Sequence, residues 1–124
     1  MRILIADDDP VSRTLLAKIL ALHTEHTVTS VEDGAAAWAL LDDASRSFDV
    51  AFIDINMPHL DGFGLLRRIR ESSFLKSLEV VLCTASADRA TVIKAAQLGA
   101  RHYLVKPCSE AAVAAKLKLF QPAV

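Results

Sequence analysis

Short apolar runs and longer stretches of helical spacing take turns along the whole chain. The runs at Arg2–Ala6, 48–53 and 79–83 are dense enough for strands buried on both faces, and a more polar run near residues 26–31 suits a sheet edge. A fifth run covers residues 101–105. After the first run, Asp9 offers an N-cap and Pro10 a first helical residue. Val11, Leu15, Ile19 and Leu22 then recur at spacings of three and four, which predicts one buried stripe. Asp33-Gly34 opens an Ala-rich second helix expected to run to about residue 44. Gly62–Glu71 predicts a third, with Phe63, Leu66 and Ile69 inward and Arg67, Arg68 and Arg70 on a solvated face. A fourth helix spans about 88–98 and is closed by Gly99, where a left-handed cap is expected. The last begins at a Ser109 cap, reaches about residue 120 and is stopped by Pro122. Five strands alternating with five helices predict an α/β fold: a doubly wound parallel sheet with helices on both faces.

A chain of 124 residues fits one domain, residues 1–124, burying roughly two thirds of its unfolded surface. With 52% hydrophobic and 23% charged residues, a disordered or low-complexity chain is excluded. A net charge of −1 with both signs interspersed gives no field for capturing nucleic acid, so no direct nucleic-acid binding by this domain is expected. The apolar runs are too short to span a membrane, and Met1 leads into the first strand without a basic n-region or cleavage site. A cytoplasmic location, with this domain opening its parent chain, is the expectation. Cys83 and Cys108 are too few and too far apart in sequence for a disulfide scaffold or a CxxC metal site, and both are expected reduced. His23, His26, His59 and His102 show no ligand spacing.

The chemistry gathers where the strands end. The run at 48–53 stops at Asp54, the first run at Asp7, Asp8 and Asp9, the fourth at Thr84, Ala85 and Ser86, and the fifth at Lys106-Pro107. In an open parallel sheet this carboxyl edge is where ligands bind. Taken singly, Asp54 could cap a loop, and Asp7 and Asp8 could be solvated carboxylates complementing a helix dipole. Capping explains one aspartate of three, and polar endings on four strands are harder to ascribe to coincidence. Two carboxylates about 4 Å apart repel by roughly 4 kcal/mol at an effective dielectric of 20, so converging carboxylates are expected to be strained without a divalent cation.

The segments ILIADDDP, FDVAFIDINMPHLDGF, VVLCTAS and LGARHYLVKP, with the spacings between them, cover nearly the whole chain. Together they resemble the receiver domains of response regulators in two-component signalling, chemotaxis receivers among them. The resemblance implies a flavodoxin-like sheet of order 2-1-3-4-5. It implies that Asp54 is the phosphoacceptor, served by the phosphohistidine of a sensor histidine kinase or a histidine phosphotransfer protein. Asp7 and Asp8 would hold Mg²⁺, or Mn²⁺ in its place, together with Asp54 and the backbone carbonyl of Asn56. Thr84 and Lys106 would contact phosphoryl oxygens, and the Lys106-Pro107 bond would be cis. Tyr103 would be the aromatic switch partner of Thr84, and Asn56 and Ser86 would tune the lifetime of the phosphoryl group.

By the same resemblance, the face made by helix 4, strand 5 and helix 5 would engage a downstream partner or effector domain, or a second copy in a homodimer. The chain departs from the family pattern at Ala6, where a larger aliphatic is usual, and at Cys108, where an apolar residue is common and a thiol could loosen packing near Lys106. Two other readings compete. A Mg²⁺-dependent phosphohydrolase with an Asp nucleophile would need a cap segment, for which the chain has no room. A pseudo-receiver that only binds proteins would not need Asp54, Thr84 and Lys106 together. The expectation is therefore a signalling switch whose catalysis is confined to its own phosphorylation and dephosphorylation.

Overall fold

A computed structural model describes residues 1–22, 26–86 and 88–120. They form β1 (Arg2–Ala6), α1 (Pro10–Ala21), β2 (Thr27–Val31), α2 (Gly34–Leu41), β3 (Val50–Asp54), α3 (Gly62–Glu71), β4 (Glu79–Thr84), α4 (Arg89–Gln97), β5 (His102–Val105) and α5 (Glu110–Phe120). Every strand pair is parallel, and the order is β2-β1-β3-β4-β5, as the resemblance implied. The polar β2 lies at an edge and β3 at the centre. The Pro122 stop expected after α5 lies outside the described residues.

Because successive strand residues face opposite ways, the sheet feeds two cores. Ile3, Ile5, Val50, Phe52, Val81 and Cys83 pack with Leu16, Ile19 and Leu20 of α1 and with Val113 and Leu117 of α5. On the other face Leu4, Ala6, Ala51, Ile53, Val80 and Leu82 meet Ala37 and Leu41 of α2, Leu65, Leu66 and Ile69 of α3, and Ala95 of α4. Each of the larger side chains, fully buried, contributes about 1.5–3 kcal/mol. Carboxylates start four of the helices: Asp9, Asp33, Asp61 and Asp88 accept from the N–H groups of Val11, Ala36, Gly64 and Thr91 at 2.7–3.0 Å. The Ser109 hydroxyl accepts from Ala112 N–H at 3.1 Å to start α5. Gly99 takes the left-handed conformation (φ +86°) that ends α4.

Three sequence expectations need correction. The stripe Val11, Leu15, Ile19, Leu22 is not the buried face of α1: Val11, Leu15 and Leu22 are exposed, and Leu16, Ile19 and Leu20 are buried. Apolar residues cover more than half of this helix, so two stripes one position apart fit its period equally well, and contact with the sheet selects between them. The second helix ends at Leu41 rather than near residue 44. There Asp43 accepts from both the N–H and the hydroxyl of Ser45, a local turn that competes with helix continuation. In α3, Leu65 joins Leu66 and Ile69 inside while Phe63 is half-buried, with the Lys94 ammonium 4.7 Å from its ring centre. On the arginine face of α3, Arg67 and Arg68 are exposed as expected, Arg68 lies over the Trp38 ring at 5.8 Å, and Arg70 donates to the Gly99 carbonyl at 3.2 Å.

Candidate functional site

Between β1 and β3 the strand order reverses, since the chain leaves β1 for β2 on one side and returns to β3 on the other. Such a reversal opens a crevice at the carboxyl ends of the two strands. Asp7 follows the last residue of β1, and Asp54 is the last residue of β3. One oxygen from each of Asp7, Asp8 and Asp54 lies within 4.8 Å of the others. Asp7 and Asp54 are 4% and 6% exposed, while Asp8 is open to solvent.

Local bonds fix this arrangement. Asp7 donates its N–H to the Val31 carbonyl at 3.2 Å, accepts Asp9 N–H on its carboxylate at 2.9 Å, and offers its carbonyl to the Arg13 guanidinium at 2.7 Å. Behind Asp54, Ile55 donates to the Cys83 carbonyl at 3.0 Å and Gly62 donates to the Ile55 carbonyl at 2.8 Å. A Cβ on Gly62 would stand 2.5 Å from the Asp54 carbonyl oxygen and 2.7 Å from Ile55 Cα, so only glycine lets α3 begin this close to the strand end.

Lys106 joins the carboxylates from the far side of the sheet. Its N–H donates to the Thr84 carbonyl at 2.7 Å, its bond to Pro107 is cis, and its ammonium lies 2.9 Å from Asp7 Oδ2 and 3.4 Å from Asp54 Oδ1. Burial pushes the Asp54 carboxyl up to about 6; the Lys106 ammonium opposes the rise, and the charges of Asp7 and Asp8 add to it. Burial pulls the Lys106 ammonium down, but its hydrogen bond to Asp7 and the charges of Asp54 and Asp7 outweigh that pull, and its pKa lies above the ordinary value.

The remaining predicted residues are placed less directly. Thr84 is buried, yet its hydroxyl is turned to the following loop, donating to the Ser86 carbonyl at 2.7 Å and accepting Ser86 N–H at 3.1 Å. Tyr103 pairs with Leu82 and Val105 with Thr84 in adjacent strands, so Tyr103 and Thr84 point to the same side of the sheet. The Tyr103 ring is 41% exposed. Asn56 and Ser86 are exposed, one on the loop after Asp54 and one on the loop after Thr84. Arg13 and Gly62 were not singled out as site residues. Asp61-Gly62 before an apolar stretch signals a helix start, and nothing in the sequence indicates that Arg13 reaches the Asp7 carbonyl.

Oxygen donors fit a hard divalent ion. Ligands on opposite sides of Mg²⁺ stand about 4.2 Å apart, given bonds of about 2.1 Å, close to the spread of the three carboxylates. Asp7, Asp8 and Asp54 are the residues that could hold it, and the donor set excludes a soft-metal site. With a buried carboxylate, a lysine ammonium and room for a divalent ion, the pocket is suited to receiving a phosphoryl group, whose equatorial oxygens need positive charge around them.

Known proteins agree with this geometry. Chemotaxis protein CheY-3 of Vibrio cholerae serotype O1 is 37% identical over 122 residues, spanning 98% of this chain and 92% of that protein. The receiver domain of sensor histidine kinase PA1611 from Pseudomonas aeruginosa superposes with a TM-score of 0.86 at 28% identity, over 96% of this chain and 95% of that one, and carries a magnesium ion in its active-site cleft. The Mn²⁺-bound response regulator Rcp1 superposes with a TM-score of 0.85 at 25% identity, over 99% and 96% of the two chains. With residues 3–118 matching the response regulator receiver domain, this chain belongs to that family, the phosphoacceptor modules of two-component signalling.

Proposed function

We propose that Asp54 is the phosphoacceptor of this receiver, and the observation that carries the assignment is its position: a buried carboxylate ending the central strand, 3.4 Å from the Lys106 ammonium. An Asp54 carboxylate oxygen attacks the phosphorus of a phosphohistidine on a histidine kinase or phosphotransfer protein. The N–P bond breaks, and the imidazole takes up a proton as it leaves. Lys106 neutralises charge on the transferred oxygens and holds the acceptor in line. Asp7, Asp8, Asp54 and the Asn56 carbonyl would hold Mg²⁺ or Mn²⁺, which supplies the remaining positive charge when bound. Both ions are found in relatives of this fold.

The output follows from Thr84. Its hydroxyl is held by Ser86, next to the start of α4. When it turns to a phosphoryl oxygen, that link is released, the β4–α4 loop shifts and the Tyr103 ring moves inward. Ile93 of α4 and Tyr103 and Val105 of β5 are exposed apolar residues, which supports docking of a downstream protein, an effector domain or a second copy on the α4-β5-α5 face. Asn56 and Ser86 flank the acceptor, where their size and polarity set the access of hydrolytic water. Phosphoryl transfer and autodephosphorylation are self-catalysed steps of a switch, not turnover of an external substrate. Cytoplasmic residence suits two free cysteines, and among the described residues no helix is long and apolar enough to cross a membrane.

The test is intact mass after incubation with Mg²⁺ and acetyl phosphate. A single base-labile phosphoryl adduct, absent from Asp54→Asn and from a chelator control, is the expected result. Rapid consumption of the donor without an adduct would indicate the hydrolase instead, and no adduct together with no Mg²⁺ affinity would indicate a protein-binding pseudo-receiver.

A further inference from the structure

Cys83 and Cys108 are 25 positions apart in sequence, yet the fold makes them neighbours. Cys83 is the last residue but one of β4, and Cys108 follows Pro107 in the segment that the Lys106 N–H anchors to the Thr84 carbonyl. Cys108 packs against the buried cluster that contains Cys83, whose thiol donates to the Val81 carbonyl at 4.0 Å. Both line one cavity of about 100 Å³, together with Asp7, Leu16, Lys106 and Pro107. Cys83 is buried and Cys108 is partly exposed, so an incoming reagent meets Cys108 first. Neither thiol has a part in the phosphoryl chemistry above, and neither is bonded to another cysteine.

We propose that Cys83 and Cys108 form a dithiol modification site, which a peroxide closes to an intramolecular disulfide, and that closure displaces Lys106 and impairs phosphoryl acceptance. The Cys108 sulfur, as thiolate, attacks one peroxide oxygen; the O–O bond breaks, hydroxide (or alkoxide) leaves, and Cys108 becomes a sulfenic acid. The Cys83 sulfur then attacks the Cys108 sulfur, and the hydroxyl group departs with the Cys83 proton as water. The two thiols are oxidised by two electrons and one peroxide is reduced. Proximity makes the second step intramolecular, which is what separates a reversible thiol site from one that over-oxidises. Disulfides that do form in a reducing compartment are characteristically transient ones of this kind.

The consequence for the acceptor site is geometric. Closing a sulfur–sulfur bond of about 2.05 Å across this cavity draws the 106–108 segment toward β4. Lys106 Nζ now stands 2.9 Å from Asp7 and 3.4 Å from Asp54. A displacement of about 1 Å in such a group can cost about 100-fold in rate, and at least a tenfold fall in the rate of Asp54 phosphorylation is expected.

The experiment treats the full chain with hydrogen peroxide, alkylates it under denaturing conditions and measures intact mass and peptides. The expected wild-type product has lost two hydrogens (about 2 Da), has no alkylatable thiol and yields a peptide linking residues 83 and 108; dithiothreitol restores both thiols. Cys108→Ala and Cys83→Ala each abolish the linked product. Cys108→Ala, at the partly exposed position, keeps the wild-type rate of phosphorylation by acetyl phosphate before and after peroxide, whereas the oxidised wild type loses it and regains it on reduction. Oxygen added to Cys108 with Cys83 still alkylatable, or a disulfide between two chains, would overturn the site. A complete intramolecular disulfide with an unchanged phosphorylation rate would overturn the coupling. The mass readout does not depend on phosphorylation, so a failure of the Asp54 assignment would register separately.

Discussion

Asp54→Asn is expected to stabilise the metal-free protein, and to do so more at neutral than at acidic pH. The Asp54 carboxyl is raised from 3.8 to about 6, chiefly by burial. At 1.36 kcal/mol per tenfold change in proton affinity, holding it ionised in the fold costs about 3 kcal/mol. The folded chain binds this proton more tightly than the unfolded chain does. Stability from this group is therefore fully present below about pH 3.8 and is lost as the pH rises through about 6.

Asparagine keeps the shape and removes the charge, and the Lys106 attraction it forgoes is already contained in the value of about 6. The net gain near neutral pH is about 3 kcal/mol. Near pH 5 the wild-type carboxyl is largely protonated in the fold, and the variant's advantage shrinks by about 1.4 kcal/mol. Urea denaturation in chelator, near pH 7.5 and near pH 5, measures both quantities, and comparing the two proteins at each pH cancels groups that titrate alike in both. Millimolar Mg²⁺ should then stabilise wild type more than the variant, since it offsets the charge that the substitution removes. An advantage of equal size at both pH values, or a less stable variant at both, would refute the dominance of burial at Asp54.

Lys106→Ala leaves Asp7, Asp8 and Asp54 converging without their ammonium, so stability in chelator should fall by about 2–4 kcal/mol and recover in part with Mg²⁺; paired denaturation curves with and without the ion check this. Gly34→Ala raises helix propensity by about 1 kcal/mol but places a Cβ into the Leu60 carbonyl oxygen. It should destabilise by at least about 2 kcal/mol, read as a lower urea midpoint, and a more stable variant would show that the loop before α3 yields.

β1, β3 and β4 were legible because each is a run of apolar residues closed by a polar one, and burial on two faces tolerates little else. Helix starts were legible for a local reason: Asp9, Asp88 and Ser109 cap N–H groups two or three residues ahead, a bond that forms within the segment itself. Gly99 marks the end of α4 in the same way, through its own φ. The carboxyl-edge set of Asp7, Asp8, Asp54, Thr84 and Lys106 followed from these strand ends once the strands were parallel.

Other features depend on contacts between segments far apart in the chain, and spacing cannot rank those. Which stripe of α1 is buried was decided by the sheet, because Leu16 and Leu20 fit the helical period as well as Val11 and Leu15 do. The pairing of Lys106 with Asp7, 99 positions away, and the meeting of Cys83 with Cys108 exist only once β4 and β5 lie side by side. The direction of the Thr84 hydroxyl, toward Ser86 and not toward the acceptor, is a choice between rotamers of one residue. The sequence by itself thus determined the strands, the caps and the inventory of charged groups at one edge, since these depend on local bonding and on hydrophobic period. Only the tertiary structure decided which of those groups touch and how strongly each titrates, because burial and distance belong to the packed chain.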